Sequence, residues 1–325
     1  MSAVSQAESA VIRTATRWMV FRRWSWLPVL VVGAVFYELV RLTLEGTGDP
    51  LYVPTLLLLG AAVVPVAFIA FVYGRRLAFG VRGSVVTLTA LLGGVVGVIV
   101  AGWLEFETQR MFGGPPFFAV GLIEEMAKLL VPAAMLLVVG RNRRPADGLL
   151  LGVAAGAGFA VLETMGYALV ALVGSAGNLS VVNGLLLDRG LLSPAAHMAW
   201  TGLAGVALWR AATERWRFRA VARFVVVYLV VVALHTGWDA TAGGWPHAGL
   251  AVASLSMLLW TTHRLAMAAS RERSGLPGPG RAYATDSLPG GQPVPERPTM
   301  TPVLPAAAAR SSWLPVPPAG PGTPV

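Results

Sequence analysis

FFAVGLIEEMAKLLVPAAMLLVV (residues 117–139) has the length and composition of a membrane-spanning helix, yet it carries Glu124, Glu125 and Lys128. A hydrocarbon core needs about 20 apolar residues of helix to cross it. A charge at its centre costs at least ~2.5–3.5 kcal/mol, so three in one helix require a reason beyond packing. The rest of the chain agrees with the membrane reading. Of its 325 residues 55% are hydrophobic and 13% charged, and the mean hydropathy is +0.66. Soluble domains carry about 25% charged residues. The expected class is an all-α polytopic membrane protein, because backbone groups in lipid must be satisfied within each segment.

Apolar runs place about eight transmembrane helices near 24–43, 51–74, 84–104, 117–139, 146–173, 191–209, 223–242 and 245–265. Residues 1–23 hold arginines but no short apolar core with a cleavage site, so no removable signal is read there and the first span is taken as an anchor. With both termini cytoplasmic, 21 of the Lys and Arg residues fall on the inside and 3 on the outside, the last, Lys128, lying within a span. Every loop then obeys the positive-inside rule. The net charge of +9 is therefore a topology signal and no nucleic-acid partner is expected. Residues 266–325, with runs such as PGPG and LPVPPAGPGTPV, read as a disordered cytoplasmic tail. The organisation is a cytoplasmic segment (1–23), a membrane domain (24–265) and that tail, in a multi-pass protein of the cell membrane.

Glu124, Glu125, Glu163, Asp239, His197 and His235 fall inside spans. Each span has an assigned direction, so their depths can be compared. Glu124 and Glu125 lie about eight residues from the outer end of the fourth span, and Glu163 in the outer half of the fifth. His197 lies about six residues into the sixth, and His235 and Asp239 in the last third of the seventh. At about 1.5 Å per residue all six meet in one layer of the outer half. Lys128 is i,i+4 to Glu124 and i,i+3 to Glu125, and His235 and Asp239 are i,i+4, so each set shares a helix face. Small residues in GVAAGAGFA (152–160) let neighbouring helices approach the fifth span closely.

Paired carboxylates in a low dielectric are pushed apart in proton affinity. One kept anionic by Lys128 can take a proton from water and return it to a leaving amine. The histidines can move protons or donate to an oxyanion. These are the parts of a water-dependent acyl hydrolase. The chain has no cysteine, no HExxH and no GxSG, and GTGD (46–49) precedes a proline in a short outer loop without a Tyr-Asp partner, a chance match.

EEMAK (124–128), FAVLE (159–163), His197 and HTGWD (235–239) resemble, in order, the EExxK, FxxxE, single-His and HxxxD motifs of the PrsW family of intramembrane proteases, relatives of the CAAX-prenyl proteases and the Abi family. The likeness covers about residues 117–242. It implies a glutamic-type or metal-dependent endopeptidase that cuts a single-span membrane protein, such as an anti-sigma factor, near its extracytoplasmic side. It implies Glu124 as general base and Glu125 as the neighbour that tunes it. Glu163, His197, His235 and Asp239 complete the catalytic set and are the candidate ligands for zinc or another divalent ion. A metal-free hydrogen-bonded network is the favoured form.

Two other classes use the same residues. A proton-coupled transporter expects a polar path across both leaflets, whereas the inner halves of these spans are nearly uncharged. A non-catalytic scaffold would use the polar network for assembly alone. Glu38, near Arg41, is read as structural. Trp24, Trp26, Trp103 and Trp245 read as an interfacial belt, Trp238 as packing, and His247 and His263 as helix-end residues without chemistry.

Overall fold

A computed structural model describes residues 22–75, 77–114, 116–138, 143–241 and 243–274, and among these it is helical without a strand. The helices are α1 (Trp26–Thr47), α2 (Val53–Tyr73), α3 (Gly83–Phe112), α4 (Phe117–Val138), α5 (Pro145–Gly174), α6 (Leu179–Leu192), α7 (His197–Thr213), α8 (Phe218–Asp239) and α9 (Gly244–Arg273). Short 3-10 turns at Pro50–Tyr52 and Ser193–Ala195 precede α2 and α7. The expectations for residues 1–21 and 275–325 lie outside the described residues.

Helices α5 and α7 form the centre. Leu149, Leu150, Leu151, Val153, Met198, Trp200 and Trp209 are wholly buried there. Their pairing is close because Gly148, Gly152 and Gly156 form one stripe on α5 at i,i+4 spacing. A Cβ at Gly152 would collide with the carbonyl of Thr201, and one at Gly156 with the carbonyl of His197. On its other side α5 meets α3, where Gly94 lies against the backbone of Gly158. Around this centre, α1 packs on α2, α4 on α3 and α8, and α6 on α2 and α5. Large apolar side chains such as Leu91, Ile99, Val170 and Leu137 face outward. That surface suits lipid, since soluble chains avoid extended apolar patches. Trp24, Trp103 and Trp245 are exposed, as an interfacial belt requires.

Six helical segments among the described residues are long and apolar enough to cross a membrane: Trp26–Thr47, Pro50–Tyr73, Gly83–Phe112, Pro145–Gly174, Leu179–Thr213 and Phe218–Asp239. The chain is an integral, multi-pass membrane protein. The expected count of eight differs by α4, which carries the three charges of EEMAK, and by α9, whose hydroxyls, histidines and arginines dilute its apolar run.

The sixth span differs from its expected form. It is not one helix from 191. A 14-residue helix, α6, ends at Leu192, a turn begins at Ser193 and Pro194, and α7 starts at His197. Pro194 has no N–H to give to the helical ladder, and the chain leaves helical geometry at Ala196, with φ −111° and ψ −114°. The third span extends past 104 to Phe112, where Gly113 adopts φ 77° and its N–H bonds to the Gln109 carbonyl. That extension brings Glu105 into the helix. Helix α9 runs to Arg273, past the expected boundary at 265.

Candidate active site

The cluster is built on four helices that enclose Lys128. Its ammonium is wholly buried on α4 and lies 2.9 Å from Glu124 Oε2, 2.8 Å from Glu125 Oε1 and 2.8 Å from His197 Nδ1. An ammonium has three donors and no acceptor. The three contacts use it fully, and the ring of Phe159 sits 4.3 Å away on a further side. Sequence spacing allowed Lys128 to pair with either glutamate, and it pairs with both.

This contact fixes the state of His197. Its Nδ1 must accept from Lys128, so the neutral ring carries its proton on Nε2, 3.0 Å from Glu163 Oε2. His235 is arranged the other way. Its Nδ1 is 2.9 Å from Glu125 Oε1, a carboxylate that can only accept, which places the ring proton on Nδ1. The Nε2 lone pair then faces Glu124 Oε2 at 3.5 Å and Asp239 Oδ2 at 3.4 Å. One histidine is set to donate and the other to accept.

The surroundings hold these orientations. Trp200 stacks on His235 with centroids 4.7 Å apart, and its Nε1 donates to Ser254 Oγ on α9 at 2.9 Å. Tyr228 on α8 donates to the Leu122 carbonyl on α4 at 2.9 Å, tying together the helices that carry His235 and the glutamates. His197 is seated by Gly156, whose missing side chain lets α5 touch its backbone.

All six site residues expected from the sequence therefore come together with Lys128: Glu124 and Glu125 on α4, Glu163 on α5, His197 at the start of α7, His235 and Asp239 on α8. Sequence reasoning placed His197 six residues inside a span, whereas it opens its helix.

Four further residues join the site. Arg189 on α6 lies 2.8 Å from Glu163 Oε2 and 4.2 Å from the Tyr167 ring centroid. Glu105 on α3 feels the charges of Glu124, Glu163, Lys128 and His235, and its Oε1 is buried with no hydrogen-bond partner among the described residues. Trp200 is the third. The fourth is His247, which packs against Trp238 with centroids 3.5 Å apart and sits 3.1 Å from Thr241 Oγ1. It stands in the first turn of α9, a helix end as read from the sequence, and lines a cavity of about 510 Å³ together with His197 and Arg189. Depth could have found Glu105, which lies at the outer end of its span. The mixed polarity of residues 179–192 hid Arg189.

Two polar features lie away from the site. Asp147, wholly buried at the start of α5, accepts from the backbone N–H groups of Gly80 and Val81 at 2.7 and 3.2 Å. It anchors the loop before α3. Arg41 pairs with Glu38 and Glu45 on an exposed face of α1.

A metal fits this donor set. Glu124, His197 and His235 each offer one ligating atom, and the three lie within 4.8 Å of one another in buried surroundings. The expected ligand set left Glu124 out, and the geometry includes it. Charge points the same way: among the described residues, Glu105, Glu124, Glu125, Glu163 and Asp239 face Lys128 and Arg189 as permanent cations. Excess anionic charge in a low dielectric is costly unless protons or a cation offset it. His235, anchored through Nδ1 by a carboxylate, has the support common behind metal-bound histidines.

No curated protein and no solved structure matches the chain. Residues 78–264, more than half of the chain and inclusive of every residue named in the cluster, match the PrsW family intramembrane metalloprotease. With the motif glutamates and histidines gathered around one buried lysine inside a membrane bundle, this chain belongs to that family and is an intramembrane peptidase.

Proposed function

We propose that the protein hydrolyses a peptide bond of a single-span membrane protein near its extracytoplasmic side, using water activated at Glu124. The observation that carries this reading is the opposed setting of the two histidines around the Lys128-held glutamates. Glu124 Oε2 is occupied by Lys128, which leaves Oε1 to accept a proton from water. The His235 Nε2 lone pair, 3.5 Å from Glu124, orients that water. His197 Nε2–H, turned toward Glu163 in the resting site, passes to the oxyanion that develops on the scissile carbonyl when substrate enters. Glu124 then returns its proton to the leaving amine. Glu125 holds His235 in register, and Glu163 does the same for His197.

Glu124, His197 and His235 would hold a divalent ion such as zinc, with Asp239 and Glu163 beside them. When bound, such an ion polarises carbonyls and lowers the pKa of water. His197 would accept it only after its ring proton leaves Nε2, so Glu124 and His235 are the first ligands.

In this reading α4 and α9 also cross the membrane, giving eight spans of a cell-membrane protein with both termini cytoplasmic. The positive-inside count supports that topology and puts the site in the outer half of the bilayer. An anti-sigma factor is the kind of substrate the family resemblance suggests. The transporter alternative is disfavoured because Asp147, the buried acid at the inner end of α5, is bound to backbone amides rather than to a polar path.

Membrane proteomes of cells carrying wild type and Glu124→Gln at equal expression test the proposal. A single-span protein that accumulates in the mutant, with its shortened form confined to wild type, is the expected result. Identical processing in the two strains would overturn it.

A further inference from the structure

The 510 Å³ cavity opens beside His197, between the α6–α7 turn and the α8–α9 turn. Its wall is mixed. Thr164, Ser193, Thr241, Arg189 and His247 supply polar groups, while Leu192, Trp238, Ala196 and Ala248 supply an apolar face. The volume falls within the ~300–1,000 Å³ typical of ligand pockets. The lining includes His197, the oxyanion donor of the proposed reaction, and Arg189, which pairs with Glu163. Anything seated here reaches the reacting groups.

The polar half of the wall selects the occupant. The hydroxyls are already engaged within the wall, Thr164 with Arg189, Ser193 with the Arg189 carbonyl and Thr241 with His247. The capacity left for an occupant lies with the rest of the Arg189 guanidinium, the second nitrogen of His247 and the Asp188 carboxylate, none of which an acyl chain can bond. An extended polypeptide has the opposite difficulty: each residue presents an N–H and a C=O that must find partners within a membrane. The guanidinium and the imidazole offer donors to its carbonyls, and the hydroxyl oxygens and Asp188 offer acceptors to its N–H groups. A helical segment brings its carbonyls already bonded and closed to attack, so unwinding and seating are one event.

We propose that this cleft is the substrate port: an unwound, extended segment at the extracytoplasmic end of the substrate's span enters between the two turns and lays its scissile carbonyl against His197. The proposal rests on the protease reading and adds the route and the conformation of the substrate. Arg189 is a positioning residue in it, holding Glu163 and presenting its free N–H groups to the entering backbone.

The chain has no cysteine, so single cysteines report cleanly. Leu192→Cys and Ala248→Cys line the cleft from two different helices, α6 and α9. Leu51→Cys, on an 80% exposed residue of the α1–α2 connection, is the labelled control. Ala222→Cys, in a separate cavity at the opposite end of α8, is the sidedness control. Intact cells are treated with a membrane-impermeant maleimide carrying a polyethylene glycol chain. Each enzyme is compared with its own unmodified form for cleavage of the co-expressed single-span protein that accumulates with Glu124→Gln.

The expected result is labelling at 51, 192 and 248 from outside, labelling at 222 only after permeabilisation, and a fall of about tenfold or more in cleavage for the two cleft adducts alone. Failure of 192 and 248 to label while 51 labels would overturn the port and leave the protease reading standing. So would full cleavage by the labelled cleft variants. Absence of cleavage by unmodified Leu51→Cys would remove the protease reading, and the port with it.

Discussion

The Lys128 ammonium stands 2.8 Å from His197 Nδ1, on a helix 69 residues away in sequence, while spending its other two N–H groups on Glu124 and Glu125. A single buried cation thus pairs with both glutamates and sets the tautomer of the histidine. This answers why EEMAK is tolerated inside a membrane helix: the three charges pair among themselves, and Phe159 closes the shell.

Lys128→Met therefore leaves two buried carboxylates uncompensated. Removing one partner of a buried pair costs about 3–5 kcal/mol. The expected outcome is a markedly lower midpoint in detergent melting and complete loss of substrate cleavage. Lys128→Arg should recover neither, because a planar guanidinium cannot place three donors as an ammonium does. Normal melting of the Met variant would mean that the pairing contributes little.

The position of His197 depends on a missing side chain. Gly156→Ala puts a methyl group into the His197 carbonyl and separates α5 from α7. Overpacking of this kind costs about 1–3 kcal/mol. It should also slow cleavage by shifting the Nε2 donor. Gly166→Ala, on the same helix with nothing within 4 Å of the added carbon, should change neither melting nor cleavage. Equal behaviour of the two variants would detach His197 from the α5 stripe.

These cases show what sequence could and could not disclose. The depth of Glu124, Glu163, His235 and Asp239 was readable because each lies well inside an apolar run and helix rise converts position into depth. Their convergence follows from the same count. His197 joins the cluster, but the span used to measure its depth is broken at Ser193–Ala195. Arg189 was invisible because LSVVNGLLLDRGLL mixes polar and apolar residues without a membrane-length run, and a loop was the natural reading of it. Trp200 and Ser254 are ordinary apolar-span residues until the fold sets one against the other. Tautomers could not be read at all, because they depend on which donor meets which nitrogen.

Glu105 offers a contrasting variant. Its Oε1 is buried without a partner, and the charges around it include Glu124 and Glu163. A carboxyl beside like charges raises the energy of the folded state whenever it ionises. Glu105→Gln keeps the shape and removes that repulsion, so the melting midpoint should rise by a few degrees, equivalent to about 1 kcal/mol. A lower midpoint would reveal a favourable contact that Glu105 makes, with an ion or with substrate.

Metal content is the most direct test of the donor set. Five carboxylates against two permanent cations, with Glu124, His197 and His235 converging within 4.8 Å, predict that protein purified without chelator retains about one equivalent of a divalent ion. His235 enters with its lone pair already free on Nε2 and its Nδ1 anchored by Glu125, whereas His197 must first lose its Nε2 proton. The two histidines should therefore differ. His235→Ala should empty the site, because it removes the nitrogen that is ready to bind. His197→Ala should lower affinity less, leaving Glu124, His235 and nearby Asp239 as donors, while still abolishing cleavage through loss of the oxyanion donor. Glu125→Gln separates ligand from support: it keeps the three donors but weakens the anchor on Nδ1, and second-shell changes of this type typically cost 10–100-fold in metal affinity. Elemental analysis of the four purified proteins, with competition by a chromophoric chelator, reads all of these differences without an activity assay. Equal metal content in wild type and His235→Ala would place the ion elsewhere. Absence of metal from every preparation, together with cleavage that survives strong chelators, would return the site to a glutamate-only mechanism built on the same Lys128-held pair.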